Sequence, residues 1–505
     1  MRIKKLLITI VLYGIAFVIG YFVNFYLTRY ITDNVGTEAY GFVTLCKTIA
    51  SYAVIGTTAL NSYASRYITI SYHKGDIEQA NIYFNTVFWT NFVIGTVLFL
   101  LSIVFSSFID VILKVPDYLT NDVTFLFVFI FLNLFITLAS TAFQASAYIK
   151  DKLLVVSVFK CASFLAEAIT LLGLFAFLPA KVFYTGIGII VATLVNFCGF
   201  FLIKRKYTSN LKINIKQFRF EAIQKLLVAG IWNSFNSLGN TLNSGLDLLV
   251  SNSLLSGLAM GQVSIVKNIV NIFGSLYQMV AQPFQPRFLK SYADENSRQL
   301  YQDLKLSMKI SGLISNIAFA CVVGVGLAYY KLWLPNQDVD LLYYLTIIAV
   351  ATSVVEGAVY PLYYIYTLTV KNKLPALVTI IGGLFNVLGM IILIKYLKLG
   401  IYSVFLTTAF VMLIITGVFN PIYMAKCLKI KTTFFYPVLL KHIISCTVMT
   451  LCTLILSKCV KVDSWFMLIV MGCVNCLICL VIHILIMLDK SEWKIILRRI
   501  CNKQQ

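Results

Sequence analysis

Fourteen apolar runs, each long enough to cross a lipid bilayer, dominate this chain. Their approximate limits are 6–31, 39–70, 82–109, 122–149, 153–178, 183–203, 220–250, 257–286, 307–331, 340–368, 375–395, 400–425, 435–457 and 464–488. A span needs about 20 apolar residues to cross a hydrocarbon core of about 30 Å. That core offers no water to the backbone, so each segment must bond to itself as a helix. The expected fold is therefore an all-α integral membrane protein of about 14 transmembrane helices. The chain is 60% hydrophobic and 12% charged, whereas a soluble domain is about 45–50% and about 25%. A soluble enzyme, a disordered chain and a nucleic-acid-binding protein are thereby excluded. The first run follows Arg2, Lys4 and Lys5 as a signal peptide would. It is too long for that and lacks a small-residue cleavage site, so it reads as the first span.

Charge tests this map independently. Of the 41 Lys and Arg residues, 29 fall in segments assigned to the inner face, seven in outer segments and five within or beside spans. The bias explains the net charge of +21 without nucleic acid. It puts both termini in the cytoplasm, which requires an even number of spans. The 12 cysteines lie mostly in apolar stretches, where cysteine is a small apolar filler. Cys473, Cys476 and Cys479 have the spacing of a cluster motif, but they sit in a continuous apolar run without a fourth ligand. No metal and no cofactor is expected.

The two halves repeat. Ala39, Gly41, Val43, Thr44, Lys47 and Ile49 align with Ala259, Gly261, Val263, Ser264, Lys267 and Ile269 at an offset of 220. Arg66-Tyr67 aligns with Arg287-Phe288, and Lys150, Lys152 and Leu153 with Lys371, Lys373 and Leu374, at 221. Six spans separate the copies, so both have one orientation and the repeat is parallel. The expected organisation is an N-terminal six-helix bundle (1–203), a basic cytoplasmic linker (204–219), a pseudo-symmetric second six-helix bundle (220–431), and two extra helices with a basic cytoplasmic tail (432–505).

Polar groups inside spans are expensive and usually face a bundle interior or a water-filled cavity. At about 100° per residue, Lys47, Ser51, Thr58, Asn61 and Ser65 fall on one face of the second span. Asn233, Asn236, Asn240, Ser244 and Asp247 line one stripe of the seventh. Lys267, Asn271, Ser275, Gln278, Gln282 and Gln285 line one of the eighth. Lipid cannot bond these amides. They either tie helices together or line a hydrated cavity, and three long stripes exceed what one helix interface satisfies. Lys47 and Lys267, equivalent in the repeat, would place two cations on a central cavity, with Arg29 as a third unless it pairs with Asp33 four residues on. Such a lumen suits a phosphate or pyrophosphate. Arg66 and Arg287 read as inner-face anchors. Asp247 and Glu356 lack an acidic counterpart in the other half and are candidates for ion coupling, because a buried carboxylate can take and release a proton. Lys160 and Glu167 are two turns apart on the fifth span and read as a buried pair or network. Pro283, Pro286, Pro361 and Pro421 fall in or beside spans of the second bundle, while Pro116 and Pro179 fall in loops. Asp338-Val-Asp340 has the form of the D-x-D of sugar-nucleotide enzymes, but a lone copy in a loop is a weak signal.

Leu27-Thr-Arg29-Tyr, Val35 to Gly41, and Asn61 to Tyr67, with the span count and the cationic stripes, resemble the Wzx-type polysaccharide flippases. That family belongs to the multidrug/oligosaccharidyl-lipid/polysaccharide flippase (MOP) superfamily, which also holds multidrug extruders and lipid II flippases. The resemblance implies a transporter rather than an enzyme. It would move undecaprenyl-pyrophosphate-linked oligosaccharide repeat units from the cytoplasmic to the outer leaflet of a bacterial inner membrane, by alternating access, for surface polysaccharide biosynthesis. By that likeness Arg29, Lys47 and Lys267 would neutralise the pyrophosphate, and Thr58, Asn61, Ser65, Asn233, Asn236, Asn240, Asn271, Gln278 and Gln282 would line the cavity. Membrane lipids, an H+ or Na+ counter-ion and a polysaccharide polymerase machinery are the partners it suggests. Two alternatives stand beside it: a multidrug/toxin extrusion antiporter, whose cationic cargo a basic lumen disfavours, and a membrane glycosyltransferase or polymerase, which the scattered outer acids and short outer loops disfavour.

Overall fold

The computed structural model describes residues 2–150, 152–369 and 371–487. The basic tail from Lys490 onward lies outside the described residues, as do the side chains of Arg2, Lys4 and Lys5. The described residues are helical and contain no strand. Fourteen long helical segments follow the fourteen apolar runs: α1 (Arg2–Asn34), α2 (Thr37–His73), α3 (Ile77–Ser106), α4 (Asp117–Ile149), α5 (Leu153–Phe177), α6 (Tyr184–Tyr207), α7 (220–255), α8 (257–293), α9 (Ser297–Trp333), α10 (Val339–Thr369), α11 (Lys373–Lys395), α12 (Tyr402–Cys427), α13 (Tyr436–Cys459) and α14 (Trp465–Met487). Eleven are long and apolar enough to cross a membrane. The chain is thus a multi-pass integral membrane protein. α7 and α8, which carry the asparagine and glutamine stripes, fall outside those eleven.

The repeat reappears in the backbone. At the end of α2, the amides of Lys74, Gly75, Asp76, Ile77 and Ala80 bond the carbonyls of Ile70, Tyr72, Ser71, Gly75 and Asp76. At an offset of 220, those of Asp294, Glu295, Asn296, Ser297 and Leu300 bond Lys290, Tyr292, Ser291, Glu295 and Asn296. Asp76 then caps α3 by accepting from the Gln79 amide at 2.9 Å, and Asn296 caps α9 by accepting from Gln299 at 3.0 Å. Both turns need a left-handed residue, a common way to end a helix. Gly75 supplies φ 81° in one and Glu295 φ 53° in the other.

The chain divides into two compact units, Met1–Ser264 and Ile265–Gln505. In the first, α3 packs on α4, α4 and α5 on α6, α1 on α5, and α2 on α3, α4 and α7. α2 and α7 approach closely: a Cβ on Gly230 would lie 2.0 Å from the Ala59 carbonyl oxygen, and Ser234 Oγ donates to Ile55 O at 2.9 Å. The basic linker is held to this unit. Asn81 Nδ2 donates to Asn210 O, Asn85 Nδ2 to Lys212 O, and their side-chain oxygens accept from the amides of Lys212 and Asn214. Leu211 is fully buried in the apolar core formed by Leu60, Ala64, Phe84 and Phe143.

In the second unit α9 is central, packing on α10, α13 and α14. Small residues permit it. Ser311 Oγ donates to Gly357 O at 2.6 Å, and Ser315 Oγ donates to Ser353 O. Two buried histidines fasten the last helices. His442 Nε2 faces Val354 O and its Nδ1 accepts from Asn316 Nδ2 at 3.1 Å. His483 Nε2 faces Lys309 O at 3.0 Å and its Nδ1 accepts from Ser445 Oγ at 3.1 Å. Each ring thus has both nitrogens within hydrogen-bonding distance of a partner. Three prolines of this half coincide with irregular turns: Pro283 in a 3₁₀ turn of α8, Pro361 in one of α10, and Pro421 just after a π turn in α12, whereas Pro286 lies in the first turn of the α-helical end of α8.

Candidate functional site

In the first unit the polar stripe of α2 divides between the two fates open to it. Asn61 exchanges two bonds with Asn91 of α3, at 3.1 and 2.8 Å. Asn91 is fully buried, so this amide pair joins helices. Thr58 bonds back to Val54 O at 3.0 Å, and Ser65 is half-buried. Lys47 is half-buried, and Glu167 of α5 acts on it electrostatically, as it does on Lys160. The sequence placed Lys160 and Glu167 together but gave no sign that Lys47 joins them. Lys160 also lines a cavity of about 370 Å³ with Thr137, Gln144, Thr193 and Asn196. Arg29 Nε lies 3.6 Å from Asp33 Oδ2 and stays 44% exposed, so the i,i+4 pair is present while the guanidinium still reaches solvent.

On α7, Asn233 is half-buried, whereas Asn236 and Asn240 are exposed. Asp247 is 3% exposed. It sits in a short α segment between two π turns, 241–245 and 251–255. Such interruptions occur frequently at functional sites. The Tyr52 hydroxyl donates to the Gly245 carbonyl just before it. Gly41 and Gly261, equivalent in the repeat, meet directly: a Cβ on Gly41 would lie 2.9 Å from Gly261 Cα.

In the second unit, Lys267 is half-buried, and Asn271, Gln278 and Gln282 are exposed along α8. Asn271, Ser275, Gln278, Ser353 and Glu356 line a cavity of about 420 Å³ with Tyr277. Glu356 lies in α10 between a break at 351–352 and the 3₁₀ turn at Tyr360–Tyr363. Exposed amides within a membrane span cannot face acyl chains, because an unsatisfied group there costs several kcal/mol. Asn236, Asn240, Asn271, Gln278 and Gln282 are exposed on α7 and α8, the two polar-striped helices that fall outside the eleven apolar candidates.

Two further acids have structural work. Asp338 caps α10 by accepting from the Leu341 amide at 3.0 Å, which accounts for half of the D-x-D pattern. Asp122 lies 3.4 Å from Lys181 Nζ and accepts from the Val182 amide at 3.2 Å.

Comparison with known proteins places the chain. A family model described as polysaccharide biosynthesis protein matches residues 3–291, more than half of its length. The uncharacterized membrane protein EpsK of Bacillus subtilis (strain 168) is 27% identical over 493 residues, spanning 96% of each chain. A multidrug resistance MATE family transporter of the MOP superfamily, solved in an inward-facing conformation, superposes with a TM-score of 0.67 at 13% identity. It covers 85% of this chain and 99% of its own. The lipid II flippase MurJ, in an inward closed conformation, superposes with a TM-score of 0.66 at 16% identity, covering 94% and 99%. At these identities the two likenesses establish a shared fold.

Proposed function

Because the chain belongs to the polysaccharide biosynthesis protein family, we propose that it is a flippase for lipid-linked oligosaccharides. It moves undecaprenyl-pyrophosphate-linked repeat units from the cytoplasmic to the outer leaflet of a bacterial inner membrane, with both termini cytoplasmic. The observation that supports this reading is the set of exposed amides on α7 and α8, with a half-buried lysine in each unit. Lys47 and Lys267, with Arg29, supply charge-assisted donors to the pyrophosphate. The amides replace the water that the sugar hydroxyls give up. The apolar tail stays in lipid throughout.

Transport follows alternating access between the bundles 1–203 and 220–431, joined by the linker 204–219, with 432–505 as an appendage. A cytoplasm-negative potential favours outward movement of the anionic headgroup by about 2.3 kcal/mol per charge per 100 mV. Asp247 and Glu356 are the groups through which an H+ or Na+ gradient would add to that force. A polymerase that consumes the flipped unit is the partner this role implies. A multidrug extruder shares the fold, but a lumen bearing these cations repels cationic cargo.

The test is reconstitution of the full chain in liposomes with an undecaprenyl-pyrophosphate oligosaccharide, scoring its appearance in the far leaflet. Wild type is expected to translocate it, and the Lys47→Ala/Lys267→Ala double variant to lose translocation at unchanged expression. Unchanged flipping by that variant overturns the cationic lumen. Translocation of cationic drugs but not of the lipid overturns the substrate.

A further inference from the structure

The turn between α2 and α3 carries a second cationic cavity, apart from the span lysines. It encloses about 590 Å³ and is lined by Arg66, Lys74 and Lys225, with Asp76 and the rings of Tyr63 and Tyr67. The three cations are exposed, and among the described residues none has a carboxylate within 4 Å. Asp76 is committed to capping α3. The Arg66 guanidinium lies 5.9 Å from the Tyr63 ring centre, and Tyr67 packs on the buried Tyr83 at 5.2 Å. Ser71 and Gln79 complete the wall.

Positive-inside bias alone would account for basic residues here, but the repeat supplies a control. The equivalent turn in the second unit, with the same backbone bonds, forms a cavity of about 400 Å³ lined by Arg287, Lys290, Asp294 and Asp303. At an offset of 220, Lys74 is replaced by Asp294 and Tyr83 by Asp303. Asp303 accepts from Gln299 Nε2 at 3.1 Å and from Ser291 Oγ at 3.4 Å. That turn carries two acids against its two cations and bonds its own polar groups. In the first unit Gln79 and Ser71 stand where Gln299 and Ser291 do; the one acid of that cavity, Asp76, stands where Asn296 does and accepts from the Gln79 backbone amide, against three cations. Two turns at equivalent places in the topology thus differ in charge and in satisfied polar groups. Topology does not require the difference, but an anionic ligand does.

We propose that the Arg66–Lys74–Lys225 cavity is a binding site for a phosphate ester. Phosphate oxygens accept from the guanidinium, the two ammonium groups, Ser71 Oγ and Gln79 Nε2, in place of the carboxylate that fills the second turn. The tyrosine rings cover whatever the phosphate carries. An anionic lipid headgroup and a soluble phosphorylated compound offer the same chemistry. The site does not depend on the proposed transport activity.

The experiment uses the full chain in nanodiscs, with two probes: inorganic pyrophosphate added to phosphatidylcholine discs and read by calorimetry, and retention of phosphatidylglycerol from mixed discs read by native mass spectrometry. Lys74→Asp, which copies the charge of the second turn, and Lys225→Gln are compared with Lys290→Gln. Both test residues are exposed, and thermal denaturation confirms folding. Lys74→Asp is expected to weaken at least one probe by about tenfold or more, the scale of a lost charge-assisted bond, with Lys290→Gln unchanged. Loss of pyrophosphate binding identifies a soluble ligand or a diphosphate headgroup; loss of phosphatidylglycerol alone identifies a membrane lipid. If neither probe binds wild type, or Lys74→Asp and Lys225→Gln act no more strongly than Lys290→Gln, the site does not exist.

Discussion

Gly75 and Glu295 occupy one backbone position in two copies of a turn, and only one of them suits it. A left-handed residue with a Cβ costs about 1–2 kcal/mol, whereas glycine adopts that conformation freely at an entropic cost of about 0.5–1 kcal/mol in the unfolded chain. A Cβ at Gly75 meets nothing within 4 Å, so Gly75→Ala tests backbone strain alone. It is expected to destabilise by about 1 kcal/mol, and Glu295→Gly to stabilise by up to about 1 kcal/mol. Thermal unfolding of purified protein in detergent should move in opposite directions for the two variants. At this scale the sequence located polar residues without their partners. The 100° rule put Asn61 on a stripe with Lys47, but only the packing of α3 shows that Asn91 takes it up. Glu167 beside Lys47 was equally invisible, because 120 residues separate them in the chain. Since the Glu167 charge acts on Lys47 and opposes an anion there, Glu167→Gln is expected to tighten binding of a pyrophosphate-bearing lipid a few-fold. Native mass spectrometry of the complex would show it.

Helices were the most legible elements, since the fourteen apolar runs became fourteen helical segments. Their ends were less so. α9 begins at Ser297, ten residues before its apolar run, and α8 continues to 293, past the run's limit at 286. Hydropathy stops where lipid stops, but a helix continues into water if its residues have fair propensity and a cap. The π turns of α7 and α12 left no trace in composition either. The linker 204–219 was legible only as a basic stretch, yet asparagines one turn apart, Asn81 and Asn85, bind its backbone from both sides. Replacing both with leucine removes these bonds and leaves linker amides unpaired, each costing about 1–3 kcal/mol. Limited trypsinolysis should then cut at Lys212 or Lys216 faster than in wild type. An unchanged digestion pattern would mean that Leu211 and the flanking bonds of Thr208 to Ser146 and of the Arg219 amide to Thr86 hold the segment down without them.

The arrangement of the whole chain in the membrane follows from how many spans separate its repeated turns. Six long helices, α3 to α8, lie between the turn at Gly75 and the turn at Glu295. If all six cross the membrane, an even number returns the chain to the side it left, and the two turns are expected to share a face. An inverted repeat would need an odd number and would put the turns on opposite faces. In a cysteine-free background, Lys74→Cys and Asp294→Cys should both resist a membrane-impermeant maleimide in intact cells and both react in inverted vesicles. Lys114→Cys, one span from the first turn, should do the reverse. If the two turns label from opposite sides, one crossing has been miscounted, and the alignment of Lys47 with Lys267 loses its structural basis. If they label together, the two turns lie on one face as a parallel repeat requires, and their shared bonds at an offset of 220 stand in equivalent places. The exchange of Lys74 for Asp294 is then a difference in charge between equivalent places.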